Sequence, residues 1–255
     1  MRKTIIDKKN VEIYDNIDEL PIARFHVYNK MLLIDAGIGS DLNDWDAHVE
    51  RILKYMDKGD TDSAKKELIN TRQNIYFIQS GLSPKNLAFA ALVRSIDGKE
   101  CNDLTPEGLG AVLLNFNSIS QTELTKMLNS VKKKIDDEIN LYFPQLFDDV
   151  KTKEYFNMLC KRTMKALELL AKGEDPENDE DIKAMTADLI TFTKPRQYSG
   201  KNSFEVEFDK QYETMCLTIS RELNLNAKTM SVLEYYNSFE YIKDLRKREA
   251  RQGAN

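Results

Sequence analysis

An acidic run splits the last third of the chain from the rest and sets the strongest limit on its fold. Glu174-Asp175-Pro176-Glu177-Asn178-Asp179-Glu180-Asp181 offers nothing to a core, and Pro176 breaks a helix crossing it. Beyond the run, Phe208, Tyr212, Met215, Cys216, Ile219 and Leu223 recur at helical spacing. Val232, Leu233, Tyr236, Phe239, Ile242 and Leu245 form a second such stripe. Two amphipathic helices of this kind need a surface to cover their apolar faces, on the same chain or on another. The expected division is therefore residues 1–173, an acidic linker at 174–181, and a C-terminal helical part at 182–255.

The remaining sequence predicts a mostly α-helical, multi-helix protein. Glycine and proline number only 10 and 6 in 255 residues, which favours long helices over many short strands. Thr4-Ile5-Ile6-Asp7 and Val11-Glu12-Ile13-Tyr14 flank a polar turn and predict a small β-hairpin. Ile96-Asp97-Gly98-Lys99 predicts a tight turn and a second one.

Helices are expected from about Pro21 to Ala36, through Trp45, Val49, Ile52, Leu53 and Met56, and from about Asp62 with Leu68, Ile75, Tyr76 and Ile78 inward. The short loop at Lys58-Gly59-Asp60 pairs the last two as antiparallel neighbours. Ser83-Pro84 and Thr105-Pro106-Glu107 open further helices. Ser120-x-x-Glu123 and Ser231-x-x-Glu234 match the capping box, in which the first serine and the later glutamate satisfy each other's free amides. A helix from about Asp148 to Lys172 is expected to bury Tyr155, Phe156, Leu159, Met164, Leu167 and Leu170.

Charge narrows the function. The formal net charge of −5 gives no general attraction to nucleic acid or anionic lipid. No apolar run approaches the roughly 20 residues that span a bilayer, and the N-terminal run is too short for a signal peptide. A cytoplasmic protein, without membrane or nucleic-acid partners, is expected. Cys101, Cys160 and Cys216 are odd in number and form no C-x-x-C, which points to small buried hydrophobes in a reducing compartment.

The motifs that resemble chemistry are incomplete. Gly37-Ile38-Gly39-Ser40-Asp41-Leu42 lacks the third glycine and the preceding strand of a dinucleotide fingerprint. Asp41, Asn43, Asp44 and Asp46 fail a calcium loop, since Trp45 takes a ligand position, and read as helix-capping acids. His26 and His48 have no H-x-x-x-H partner. Asp136-Asp137-Glu138 and Asp148-Asp149 would form a two-metal site only if they converged. Lys132-Lys133-Lys134 and Arg246-Lys247-Arg248 read as solvated helix ends. No catalytic residue, metal site or cofactor is assigned, and a non-enzymatic role is expected.

The distinctive cluster is aromatic. Tyr235, Tyr236, Phe239, Tyr241 and Ile242 are the candidate partner-binding residues. Tyrosine is favoured at interfaces, and Tyr235 and Tyr241 fall off the inward stripe. Core packing is the competing reading. If the partner face is real, Tyr235→Ala with Tyr241→Ala weakens binding and spares the fold.

Two stretches carry a resemblance. Ile17-Asp18-Glu19-Leu20-Pro21-Ile22-Ala23-Arg24-Phe25, with Asn29-Lys30-Met31-Leu32, resembles the opening of helical proteins from tailed phages and prophages of gut bacteria. Val232-Leu233-Glu234-Tyr235-Tyr236-Asn237-Ser238-Phe239-Glu240-Tyr241-Ile242 is similar to the closing helix of phage tail-morphogenesis proteins, including tail assembly chaperones. The resemblance implies a scaffold that binds tape-measure or tube subunits in the bacterial cytoplasm, or a permanent neck, connector or tail component of the virion. Other phage structural proteins, and further copies of the chain, are the implied partners. The usual tail assembly chaperone is smaller than this chain.

Overall fold

The structure is a computed structural model that describes residues 1–116, 118–147, 150–192 and 194–252. It is 72% helical, with ten α-helices and one small antiparallel sheet among the described residues.

Two hairpins supply that sheet. β1 (Arg2–Ile6) and β2 (Lys9–Ile13) turn through Asp7 and Lys8, both at positive φ. The turn thus falls one residue earlier than a Lys8-Lys9-Asn10 loop. β3 (Val93–Ile96) and β4 (Lys99–Glu100) turn through Asp97 and Gly98, also at positive φ, as a two-residue turn between right-twisted strands requires. β2 pairs with β3, Val11 opposite Ile96, so the two hairpins form one four-stranded sheet in the order β1-β2-β3-β4. Its inner residues Ile6, Val11, Ile13 and Val93 lie in the main core.

The core is centred on α4 (Pro84–Leu92), where Leu87 to Leu92 are all buried. A helix apolar on every side must be surrounded. α1 (Ile22–Ile38), α5 (Pro106–Leu113) and α6 (Gln121–Tyr142) surround it. Arg24 of α1 is buried here, donating to the carbonyls of Ala91 (3.1 Å) and Val93 (2.9 Å) where α4 passes into β3. The predicted capping box of α6 is present, and Phe143 closes that helix before Pro144.

α9 (Phe204–Leu223) and α10 (Val232–Gln252) complete the same core. Cys216, Ile219, Val232, Tyr235 and Ile242 cluster with Ile6, Phe25, Phe89 and Ile135. The apolar core therefore crosses the acidic run. Backbone bonds reinforce the join: Ile22 donates to Met230, Val232 to Leu20 and Leu233 to Ile17, each within 3.1 Å.

The remaining helices form an outer layer. α2 (Leu42–Asp57) and α3 (Thr61–Ser80) make a tight hairpin. α7 (Val150–Ala171) pairs with α8 (Glu180–Thr191), and the acidic run is the turn between them. Asp179 caps α8, and Lys165 of α7 meets Asp179 at 3.0 Å and also Asp181. The run is thus tied down by a lysine and by the positive end of a helix.

Candidate interaction surfaces

The five candidate partner-binding residues on α10 separate by burial. Tyr235 is 3% exposed and Ile242 is 5% exposed, so both are core. Tyr236 and Phe239 are half-buried against that core. Tyr236 meets the rings of Phe25 (6.4 Å) and Phe143 (5.3 Å), bridging α10 to α1 and to the end of α6. Tyr241 alone of the five is exposed, at 55%. The expectation that Tyr235 leaves the inward stripe is corrected. α10 is covered on more than one side, by α9 as well as α1, so its buried arc is wide enough to include Tyr235. Truncating Tyr235 removes core and does not spare the fold.

Between α1, α9 and α10 lies a groove of about 140 Å³, lined by Ile22, Phe25, His26, Tyr212, Met215 and Tyr236 among others. His26 is sandwiched between Phe208 and Tyr212, one helical turn apart on α9, with ring centroids at 4.8 and 4.1 Å and nearly parallel planes. Its Nε2 lies 2.7 Å from Asp209 Oδ1, and Lys30 Nζ donates to the same carboxylate at 2.9 Å. Burial pushes the His26 pKa down, against the pull of Asp209. Burial also works against the Asp209 carboxylate, but the hydrogen bonds from Lys30 and His26 hold its pKa below the ordinary value. The Tyr212 and Tyr235 hydroxyls and the Cys216 thiol are pushed up, chiefly by burial. The groove therefore presents uncharged aromatic walls with one charged rim. It has room for a side chain and holds no activated nucleophile.

The α2–α3 hairpin reverses the expected pattern. Most of its buried positions are polar: His48 on α2, and Ser63, Glu67, Asn70, Thr71 and Asn74 on α3, with Tyr55, Ala64 and Phe77 as the buried apolar residues. His48 Nε2–H donates to the Ile38 carbonyl at 2.8 Å, and Asn74 donates to the same oxygen at 3.0 Å. His48 Nδ1 faces Glu67 Oε2 at 2.6 Å, while Arg51 donates to Glu67 Oε1 at 3.0 Å. Asn70 donates to the Arg196 carbonyl at 2.9 Å. What these helices cover is the C-terminal end of α1 and the 194–202 loop, whose carbonyls need donors. Several apolar residues consequently point outward. Leu68, Ile75 and Tyr76, expected inward on α3, are exposed, as are Leu53 and Met56 of the apolar stripe of α2.

α7 departs in the same way. Leu169 is buried, while Phe156, Met164, Leu167 and Leu170, expected in the core, are exposed. Cys160 on this helix is also exposed and Cys101 is intermediate, so only Cys216 fits the buried reading.

The glycine-rich stretch has a structural explanation. Gly37 lies inside α1, and a Cβ there would run into the Tyr198 ring. Gly39 ends the helix at positive φ. The amides of Ser40 and Asp41 donate to Asp44 Oδ2 at 2.8 and 3.2 Å, and Asp44 N donates back to Asp41, completing a capping box on α2. The amides that a phosphate would need already hold a carboxylate of the same chain.

Asp136 pairs with Lys132 on its own helix, and the proposed partners Asp148 and Asp149 lie outside the described residues, as do Gly253, Ala254 and Asn255. Among the described residues, no group of three or more His, Cys, Asp or Glu is placed to hold a metal ion, and no helix is long and apolar enough to cross a membrane. In the basic tail, Arg246 reaches Glu222 at 3.2 Å and Lys247 meets Asp244 at 3.6 Å. No family model, curated protein or solved structure matches the chain.

Proposed function

We propose that this protein is a non-enzymatic bacteriophage morphogenesis factor, a tail assembly chaperone that binds tape-measure or tube subunits in the host cytoplasm. One observation carries the reading. The two stretches that carry the resemblance, one to helical proteins of tailed phages and one to tail-morphogenesis proteins, are far apart in sequence but zipped together in the fold. Pro21 bridges Ser231, and Ile22, Val232 and Leu233 bond across the join. The aromatic groove opens beside that join, with Ile22 and Phe25 from one stretch and Tyr236 from the other. A groove of this size suits one apolar anchor side chain from a partner. Tyr241 lies outside that lining and offers a second, exposed contact on another side of the same helix.

A permanent place in the neck, connector or tail is the second reading. It is favoured by the separate exposed apolar faces on α2–α3 and α7, because a repeating assembly needs several contacts per subunit.

The test is fractionation of a phage-producing culture, with capture of tube and tape-measure subunits by the purified chain. Capture that weakens in Tyr241→Ala, with the chain absent from purified particles, supports the chaperone role. Fixed stoichiometry in particles supports the virion role. Failure of both overturns the proposal.

A further inference from the structure

We infer that the outer face of the α2–α3 hairpin is a self-association surface, on which a second copy of this chain packs to form an antiparallel four-helix bundle. The inference is independent of the tail-assembly reading.

The face is apolar and continuous. A helix advances about 100° per residue. On α2, Met56, Leu42 and Leu53 fall about 80°, 120° and 140° past the buried His48. On α3, Ile75 and Leu68 fall about 80° and 100° past the buried Glu67. His48 and Glu67 point at one another. In antiparallel helices, similar offsets in the same rotational sense lead to the same side. The two stripes therefore lie side by side, and all five side chains are exposed. A face of this kind on a soluble hairpin marks an interface.

Charge identifies the occupant. The exposed acids of α2 are Asp46, Glu50 and Asp57, while the exposed cations of α3 are Lys65, Lys66 and Arg72, with one exposed acid, Asp62, in its first turn. The hairpin thus has an acidic helix and a basic helix, with the apolar stripe between them. A partner that fits must carry the reverse order of charges, and a copy of the chain turned about a two-fold axis parallel to the helices does so. That rotation lays α2 on α3 of the mate, acid on base and apolar on apolar, and every contacting pair runs antiparallel. The alternative two-fold, across the helices, lays α2 on α2 and opposes like charges. Asp46 and Arg72 sit at the outer edges of the apolar face at nearly matching levels, so they meet across the first arrangement.

The experiment is sedimentation equilibrium of the full chain over a range of concentrations. The expected result is a monomer–dimer equilibrium that weakens with salt. Leu53→Glu with Leu68→Glu yields a folded monomer. Asp46→Arg and Arg72→Asp each weaken dimerisation about tenfold, and the double exchange returns it to within about threefold of the parent. A parent chain that stays monomeric up to about 100 μM, where a specific pair should associate, overturns the inference. So does a dimer that survives the two glutamates. Charge reversals without mutual rescue overturn the pairing of α2 with α3.

Discussion

α9 and α2 carry equally regular apolar stripes and turn them in opposite directions. α9 buries Cys216 and Ile219 against the sheet-and-helix core, with Tyr212, Met215 and Leu223 packed around them. α2 buries His48 and Tyr55 and leaves Leu53 and Met56 in solvent. The difference lies in what each helix is set against. α9 meets apolar side chains of α1 and α10. The α2–α3 hairpin meets the last carbonyls of α1, and Ile38 O is satisfied by both His48 and Asn74. An unpaired buried carbonyl forfeits roughly 1–3 kcal/mol, so the side of the hairpin set against the end of α1 has to supply donors. Periodicity announces that a helix has two faces, and the neighbouring polar demand decides which one is inside.

The sharpest way to break this contrast is to empty each interior in turn. Ile219→Ala in α9 is expected to cost about 2–5 kcal/mol, read as a lower urea midpoint at unchanged m. Glu67→Ala in the hairpin is expected to cost roughly 3 kcal/mol, because it strips His48 and Arg51 of their shared carboxylate while leaving them in place. Replacing His48 and Glu67 together by apolar residues is expected to cost less than Glu67→Ala alone. An unchanged midpoint for Glu67→Ala would mean that the polar interior does not hold the hairpin.

A smaller effect separates two helical glycines. Gly37→Ala forces the Tyr198 ring away and is expected to destabilise by about 1–2 kcal/mol. Gly110 in α5 has only Leu82 nearby, at 3.9 Å, so Gly110→Ala is expected to stabilise by roughly 0.5–1 kcal/mol. Equal effects at the two positions would remove the packing argument for Gly37.

The smallest effect is a pH dependence that belongs to the α1–α9 contact. His26 has a folded pKa below the ordinary 6.5, chiefly because it is buried between Phe208 and Tyr212. The unfolded chain therefore binds this proton more readily than the folded one. The contribution of neutral His26 is complete above pH 6.5 and is lost as pH falls through the depressed value. Lys30, Asp209 and Glu213 are the charged groups acting on the ring, and Lys30 adds to the downward shift. Urea midpoints at pH 7.5 and about pH 5.5 should differ less in His26→Phe than in the parent, a modest effect of a partly buried histidine. An equal difference in both would place the titration elsewhere.

Much of the helical layout was legible because its signals are local. Ser120 with Glu123 and Ser231 with Glu234 sit within one turn of each other, and both starts fall where they predict. The stripes of α9 and α10 were legible as inward faces because their neighbours are also apolar. The single sheet was not, because Val11 pairs with Ile96 across the whole of α1 to α4. The polar interior of the hairpin was hidden for the same reason: His48, Glu67 and Asn74 acquire a purpose only when Ile38 is placed among them. For the candidate partner face, sequence could not separate Tyr235 from Tyr241. Their burial depends on α9 lying against α10, which no spacing within α10 records. Arg24 and Gly37 were missed as structural residues, since their partners Ala91, Val93 and Tyr198 are distant in the chain.

The most direct test of the inverted hairpin is the unfolding free energy of Leu53→Gln with Leu68→Gln, measured at concentrations too low for association and compared with Ile219→Ala. A change within about 0.5 kcal/mol is expected, since both leucines already face solvent at 56% and 62% exposure. A loss of about 2 kcal/mol or more, comparable with Ile219→Ala, would place those leucines in a core and contradict the inverted hairpin.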